Sequence, residues 1–150
     1  YNVTLVASGL TGVSTNTQAS YITALTPFQS WQIQYFGSTT NAAAAGADPD
    51  GDGQNNLAEY QTNTDPTNGA AFLHILSIAP ESNSNLRVTW AMGPGRTNAA
   101  QYSPGAAGSY ATNFTDVFTV TNTVGTVTNF LDVGAATNAP AGYYRIRLVP

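Results

Sequence analysis

Asp48-Pro49-Asp50-Gly51-Asp52-Gly53-Gln54-Asn55-Asn56-Leu57-Ala58-Glu59 is a twelve-residue run with carboxylates at positions 1, 3, 5 and 12 and glycine at position 6. A calcium ion takes six to eight oxygen ligands, and a loop of this length supplies them from positions 1, 3, 5, 7, 9 and 12, with glycine at 6 making the sharp turn. The template assigns one side-chain oxygen each to Asp48, Asp50 and Asp52, the main-chain carbonyl to Gln54, a direct or water-mediated contact to Asn56, and both carboxylate oxygens to Glu59. Without a cation, three aspartates at alternate positions repel one another, so the metal is expected to be part of the fold. Two simpler readings compete. Asn56 and Glu59 also read as a helix N-cap and its capping-box carboxylate, which leaves three aspartates and Gly53 without a role. A solvated acidic turn explains neither the spacing nor the glycine. Magnesium fits less well, because it keeps more of its water and takes fewer carboxylates.

Upstream of the loop, Pro27 opens an expected short helix over about residues 26–36, on which Phe28, Trp31 and Tyr35 fall on one face and read as a core-facing stripe. Residues 11–26 are rich in Thr, Ser, Asn and Gly and read as a linker. Residues 1–10 alternate and are β-prone, with Tyr1, Val3 and Leu5 on one side, which predicts an N-terminal extended strand in need of a partner sheet. Downstream, residues 57–62 continue as a second short helix that ends in the turn chemistry of residues 64–69. From residue 71 the pattern changes to short β runs at 72–79, 85–92, 98–103, 109–120, 124–131 and 142–149. That spacing predicts a β-sandwich, with Trp90 and the closing Tyr143-to-Val149 run bearing core and Arg145 and Arg147 sharing an outer face. The chain therefore divides into a strand and linker (1–25), a helix–calcium loop–helix segment (26–70) and a mainly β domain (71–150).

Composition excludes several partners. Charged residues are only 8% of 150, there are four Arg and no Lys, and the formal net charge is -4. A basic footprint for nucleic acid or anionic lipid is missing. No apolar run reaches the ~18 residues of a membrane span, and the absence of Cys removes disulfides and thiolate chemistry. The chain begins at Tyr1 without a signal peptide, as a processed chain or excised fragment would. Thr-Asn recurs nine times at no fixed period, a surface bias and not a solenoid repeat.

The run from Asp48 to Tyr60 followed by Thr64-Asp65-Pro66 resembles the calcium loops of dockerins and of bacterial thrombospondin type 3 repeats. The likeness implies an extracellular or cell-surface calcium site that braces neighbouring segments, with ligand roles on Asp48, Asp50, Asp52, Gln54, Asn56 and Glu59 and a cap or extra oxygen from Asp65. The chain has one such loop where dockerins have two, and Asn55 stands at position 8 where paired EF-hands have an aliphatic residue. The aromatic helix before the loop and the Tyr-Tyr-Arg ending are also similar to secreted proteins of environmental bacteria, in which this unit precedes a fibronectin type III-like (Ig-like) sandwich.

Nothing in the sequence points to catalysis. The single His74 lies among Phe72, Leu73, Ile75 and Leu76 and reads as a core or sheet-edge histidine. No nucleophile elbow, phosphate loop or zinc-ligand pair is present. Asp116 and Asp132 read as turn residues, and Arg96, within Gly93-Pro94-Gly95-Arg96-Thr97-Asn98, as part of a solvated turn. Two functions compete. The first is a non-enzymatic structural subunit, a homo-oligomer or polymer that adds its N-terminal strand to the open sheet edge of a neighbour, with glycan on its surface. The alternative is a carbohydrate-binding or anchoring module of a larger secreted hydrolase or adhesin, touching sugar through Tyr102 and Tyr110.

Overall fold

A computed structural model describes residues 2–19, 22–106, 108–121, 125–138 and 141–150; Tyr1 and the ring of Tyr110 lie outside the described residues. The fold is mainly β, with three small antiparallel sheets.

The first sheet is a hairpin of β1 (Val3–Gly9) and β2 (Gly12–Gln18), in register from Val3 opposite Gln18 to Gly9 opposite Gly12. Residues 12–18 are thus not the linker their composition suggests, and the N-terminal strand is not a lone extended one. Val13, Thr15 and Thr17 alternate along β2, and β-branched residues suit a pleated strand. Gly12, at φ 144°, takes a conformation that other residues rarely adopt. Thr4 and Thr17 face each other with their hydroxyls 3.0 Å apart.

The helix α1 (Pro27–Phe36) starts at Thr26, whose hydroxyl accepts from Gln29 N at 3.1 Å while Thr26 N donates to Gln29 Oε1 at 2.9 Å. This reciprocal cap and Pro27 in the first turn set the start, and Gly37 at φ 65° ends it. The expected aromatic stripe packs inward: Phe28, buried Trp31 and Tyr35 form a run of ring contacts, and the ring of Tyr60 meets Phe28 at 5.1 Å and Trp31 at 5.8 Å. Tyr60 lies on α2 (Asn56–Thr62), so α1 clamps the helix that follows the acidic loop.

The remaining strands form two sheets around one core. In the first, β4 (Asn85–Ala91) lies between β3 (His74–Glu81) and β8 (Val127–Asp132). In the second, β5 (Thr97–Ala106) lies between β9 (Ala141–Val149) and the pair β6 (Ser109–Tyr110) and β7 (Thr115–Val120); a short helix α3 (Ala135–Asn138) precedes β9. Val88 and Trp90 on β4 and Ala100 on β5 are fully buried, joined by Phe130 from the first sheet and Phe118, Tyr144 and Ile146 from the second. Phe118 bridges the sheets, stacked on Phe130 at 5.1 Å and edge-on to Trp90 at 6.2 Å.

Three polar residues differ from expectation. Asp116 sits within β7 and pairs with Arg147 at 2.5 Å, which holds its carboxyl below the ordinary range. Asp132 ends β8 and accepts from the Tyr144 hydroxyl at 2.6 Å, tying one sheet to the other. Neither is a turn residue, because each found a partner far along the chain. Arg96 is not a solvated turn residue either: Nη2 donates to Tyr60 O at 3.0 Å and Nε is buried.

Arg96 is one of several ties between the helical segment and the β-region. Asn63 Nδ2 donates to Pro94 O at 2.8 Å, and Gln54 Nε2 to Leu73 O at 3.3 Å. At Gly93 a Cβ would stand 2.0 Å from Thr62 O, so only glycine permits this approach. Among the described residues, no helix is long and apolar enough to cross a membrane.

Candidate metal centre

The acidic loop is closed at its base by main-chain bonds from Asn56 N to Ala47 O at 2.8 Å and from Leu57 N to Ala45 O at 3.0 Å. Inside this neck the chain makes two left-handed steps, at Gly51 (φ 76°) and Gly53 (φ 93°), and these fold the loop back on itself.

The aspartates first organise the main chain. Asp48 accepts from Gly51 N at 2.9 Å and from Gly53 N at 3.0 Å, and Asp52 Oδ1 accepts from Gln54 N at 2.7 Å. Asp50 Oδ1 lies 3.4 Å from Asp52 N. These side-chain-to-main-chain bonds hold an oxygen from each of Asp48, Asp50 and Asp52 within 4.8 Å of the other two. The second oxygens, Asp50 Oδ2 and Asp52 Oδ2, are buried and have no hydrogen-bond partner.

Asn56 and Glu59 add to this. Asn56 is fully buried, and its Nδ2 donates to Ala42 O at 2.7 Å and Ala44 O at 2.8 Å. Two carbonyls can be met only by the amide nitrogen, so Oδ1 is left over, buried and without a partner. Glu59 is also fully buried, and both its oxygens lack a donor. The capping-box reading fails on this geometry. The N-cap of α2 is Asn55, whose Oδ1 accepts from Ala58 N at 3.0 Å, and the Glu59 carboxylate does not return to the helix start.

Native proteins satisfy nearly all buried polar atoms. Here five oxygens from four residues are buried and unpaired within one twelve-residue loop. The electrostatics agree: the Glu59 carboxyl is pushed up from 4.5 to about 7, first by burial and then by the charges of Asp50, Asp52, Asp48 and Asp65. Burial and the Asp52 charge raise Asp50 in the same direction. Such an arrangement favours protonation of Glu59 or a bound cation. Its donors are all hard oxygen, which suits calcium or magnesium and not a thiophilic metal.

The residues selected from the sequence thus divide clearly. Asp48, Asp50 and Asp52 converge, and Asn56 and Glu59 present unpaired oxygens. Gln54 turns its side chain away to Leu73, in keeping with a main-chain role. Asp65 spends Oδ1 on Thr67 N at 3.0 Å and Thr67 Oγ1 at 2.7 Å, a local turn, while its charge still acts on Glu59. Sequence reading missed the part played by Ala42 and Ala44, whose carbonyls fix the Asn56 amide and carry no signal of their own.

Elsewhere, His74 stacks on Phe72 at 3.8 Å, with Nδ1 2.8 Å from Phe72 O. Tyr102 is half-buried against Tyr144 at 5.3 Å, and its ring lies where a Cβ on Gly142 would stand. No family model, curated protein or solved structure matches this chain.

Proposed function

We propose that this chain is an extracellular, non-enzymatic structural subunit that holds one calcium ion in residues 48–59 and assembles with copies of itself through its N-terminal β-strand. The observation that carries the reading is the set of five buried, partnerless oxygens on Asp50, Asp52, Asn56 and Glu59. Calcium would bind Asp48, Asp50, Asp52, the Gln54 carbonyl, Asn56 Oδ1 and Glu59, neutralising a cluster that otherwise repels itself. Calcium fits better than magnesium because the set is rich in carboxylates and fixed by the protein, whereas magnesium keeps several waters.

The ion's purpose in this reading is mechanical. Glu59 sits one residue before Tyr60, whose ring is clamped by α1 and whose carbonyl receives Arg96 from the β-region. A cation that fixes Glu59 therefore fixes the angle at which the helical segment meets the sheets. The two sheets sharing one core are read as an immunoglobulin or fibronectin type III-like sandwich, and the loop as a dockerin or thrombospondin type 3-like brace.

Electron microscopy and light scattering of the purified chain test this function. Regular polymers in calcium that fall apart or soften in chelator are expected. A monomer at every concentration and ionic condition would leave the anchoring-module reading in its place.

A further inference from the structure

Sheet edges in soluble proteins are normally blunted by charge, proline, bulges or brevity, because a bare edge invites another strand. Three edges of this fold follow that rule. β3 carries Pro80 and a register shift between Ile75 and Ser77. β8 is three residues shorter than β9 and ends in the charged Asp132, and the edge beside β5 is divided between β6 and β7.

β9 does not follow it. Its nine residues run in unbroken register against β5 from Ala141 to Val149, with no proline, and among the described residues no strand pairs with its other edge. Its two charges lean away from that edge: Arg145 Nε donates to Gln101 Oε1 at 2.6 Å, on β5, and Arg147 reaches Asp116 on β7, beyond β5. The core also stops short there. Tyr144 and Ile146 pack into the shared core yet are only partly buried, whereas Ala100 at the centre of the same sheet is fully buried.

The hairpin is the complementary case. Every residue from 2 to 18 is exposed, including Leu5 at 70% and Val6 at 58%. An isolated two-stranded hairpin is marginal in water. It has no proline, and the first charged residue of the chain is Asp48, so nothing blunts its edges. Nor has it any charge with which to choose a polyanion or an anionic surface. What it offers is main-chain hydrogen bonds and, on β1, an alternating apolar face of Val3, Leu5 and Ala7. β2 is the more polar strand, with Ser14, Asn16 and Gln18 on the corresponding face.

We infer that the free edge of β9 is the acceptor for β1 of a second copy of this chain, so that Val3, Leu5 and Ala7 cover Tyr144 and Ile146 and complete the second sheet. This rests on the proposed strand-addition function and names its acceptor. Seven residues of β1 span about 23 Å at ~3.3 Å each, within the length of β9. Donor and acceptor are different surfaces, so the contact is head to tail and grows into an open polymer unless its rotation closes a ring.

The chain has no cysteine, which permits a direct test with thiol cross-linking. A tagged Val6→Cys donor is mixed in calcium with untagged Ala141→Cys or Val149→Cys acceptors, each checked by circular dichroism for the parent fold, and treated with a short bismaleimide. Donor–acceptor heterodimers through one end of β9 are expected, with yield falling about tenfold or more when the donor also carries Leu5→Lys, which places a charge against the core. Polymers that give only donor–donor products would overturn β9 as the acceptor and leave assembly by strand addition standing. An intramolecular product from Val6→Cys/Val149→Cys at high dilution would show that the hairpin closes on its own edge and overturn the second copy. Absence of any association would overturn the acceptor and the proposed function together.

Discussion

Glu59→Gln separates a ligand from a packing residue, because glutamine keeps the shape and loses the charge. In protein stripped of divalent ions, the Glu59 carboxyl stands at about 7 in the fold against 4.5 ordinarily. A group whose folded pKa is raised stabilises the fold while protonated; that contribution is complete below about 4.5 and is lost as pH rises through about 7. The whole shift corresponds to about 3 kcal/mol, and solvent screening beside exposed Asp48 reduces it to on the order of 1–2 kcal/mol at about pH 8. The variant escapes this penalty. In chelator it should therefore melt at or above the parent, by roughly 2–8 °C at ~2–4 °C per kcal/mol for a chain of this size. Calcium should close most or all of that gap. At about 10 mM the parent gains roughly 1.4–2.7 kcal/mol for a dissociation constant of about 10⁻³ to 10⁻⁴ M, the range of extracellular modules. The variant, short of one charge and one oxygen, should gain about 0.5 kcal/mol or less. Calorimetric melts of both proteins with chelator and with calcium read this difference in calcium response directly. If the variant is the weaker protein in chelator and both gain equally from calcium, Glu59 is a structural group and the reasoning fails.

Three further outcomes are expected. Gly93→Ala should lower the melting temperature by an amount equivalent to about 2–3 kcal/mol, since its Cβ would meet Thr62 O at 2.0 Å, while Gly46→Ala, with open space around it, should not; equal effects in thermal melts would contradict the docking described. Calcium affinity should weaken as pH falls below about 7, because Glu59 must give up its proton to bind; calorimetric titrations at about pH 6 and 8 that agree would remove Glu59 from the ligands. Deleting residues 1–18 should leave the melting temperature of the monomer within about 1 °C, as every described residue there is exposed, and should abolish assembly; a truncated chain that unfolds would make the hairpin part of the core.

Local signals are legible in this sequence, and long-range ones are not. The Pro27 helix start and its aromatic stripe depend on residues a few places apart and appear where spacing puts them, and the alternating Asp48, Asp50 and Asp52 converge. The runs around Trp90 and Tyr143-to-Val149 carry the shared core because their apolar residues alternate. Residues 12–18 were legible only as a polar stretch, since Thr, Ser and Asn serve a linker and a solvated strand equally, and register with β1 decides between them. Arg96, Asp116 and Asp132 sit in polar, glycine-rich or short surroundings that suggest turns, while their partners Tyr60, Arg147 and Tyr144 lie far along the chain. The cap of α2 is Asn55 and not Asn56 for a related reason: the carbonyls of Ala42 and Ala44 claim the Asn56 amide and leave its oxygen toward the loop.

Calorimetric titration of the chelator-treated full chain with calcium, repeated with magnesium, goes straight to the question of what the partnerless oxygens of residues 48–59 are for. One calcium per chain is expected, at about 10⁻⁴ to 10⁻³ M and well ahead of magnesium. No heat and no change in melting temperature at millimolar calcium would mean that Asp50, Asp52, Asn56 and Glu59 face one another for some other reason.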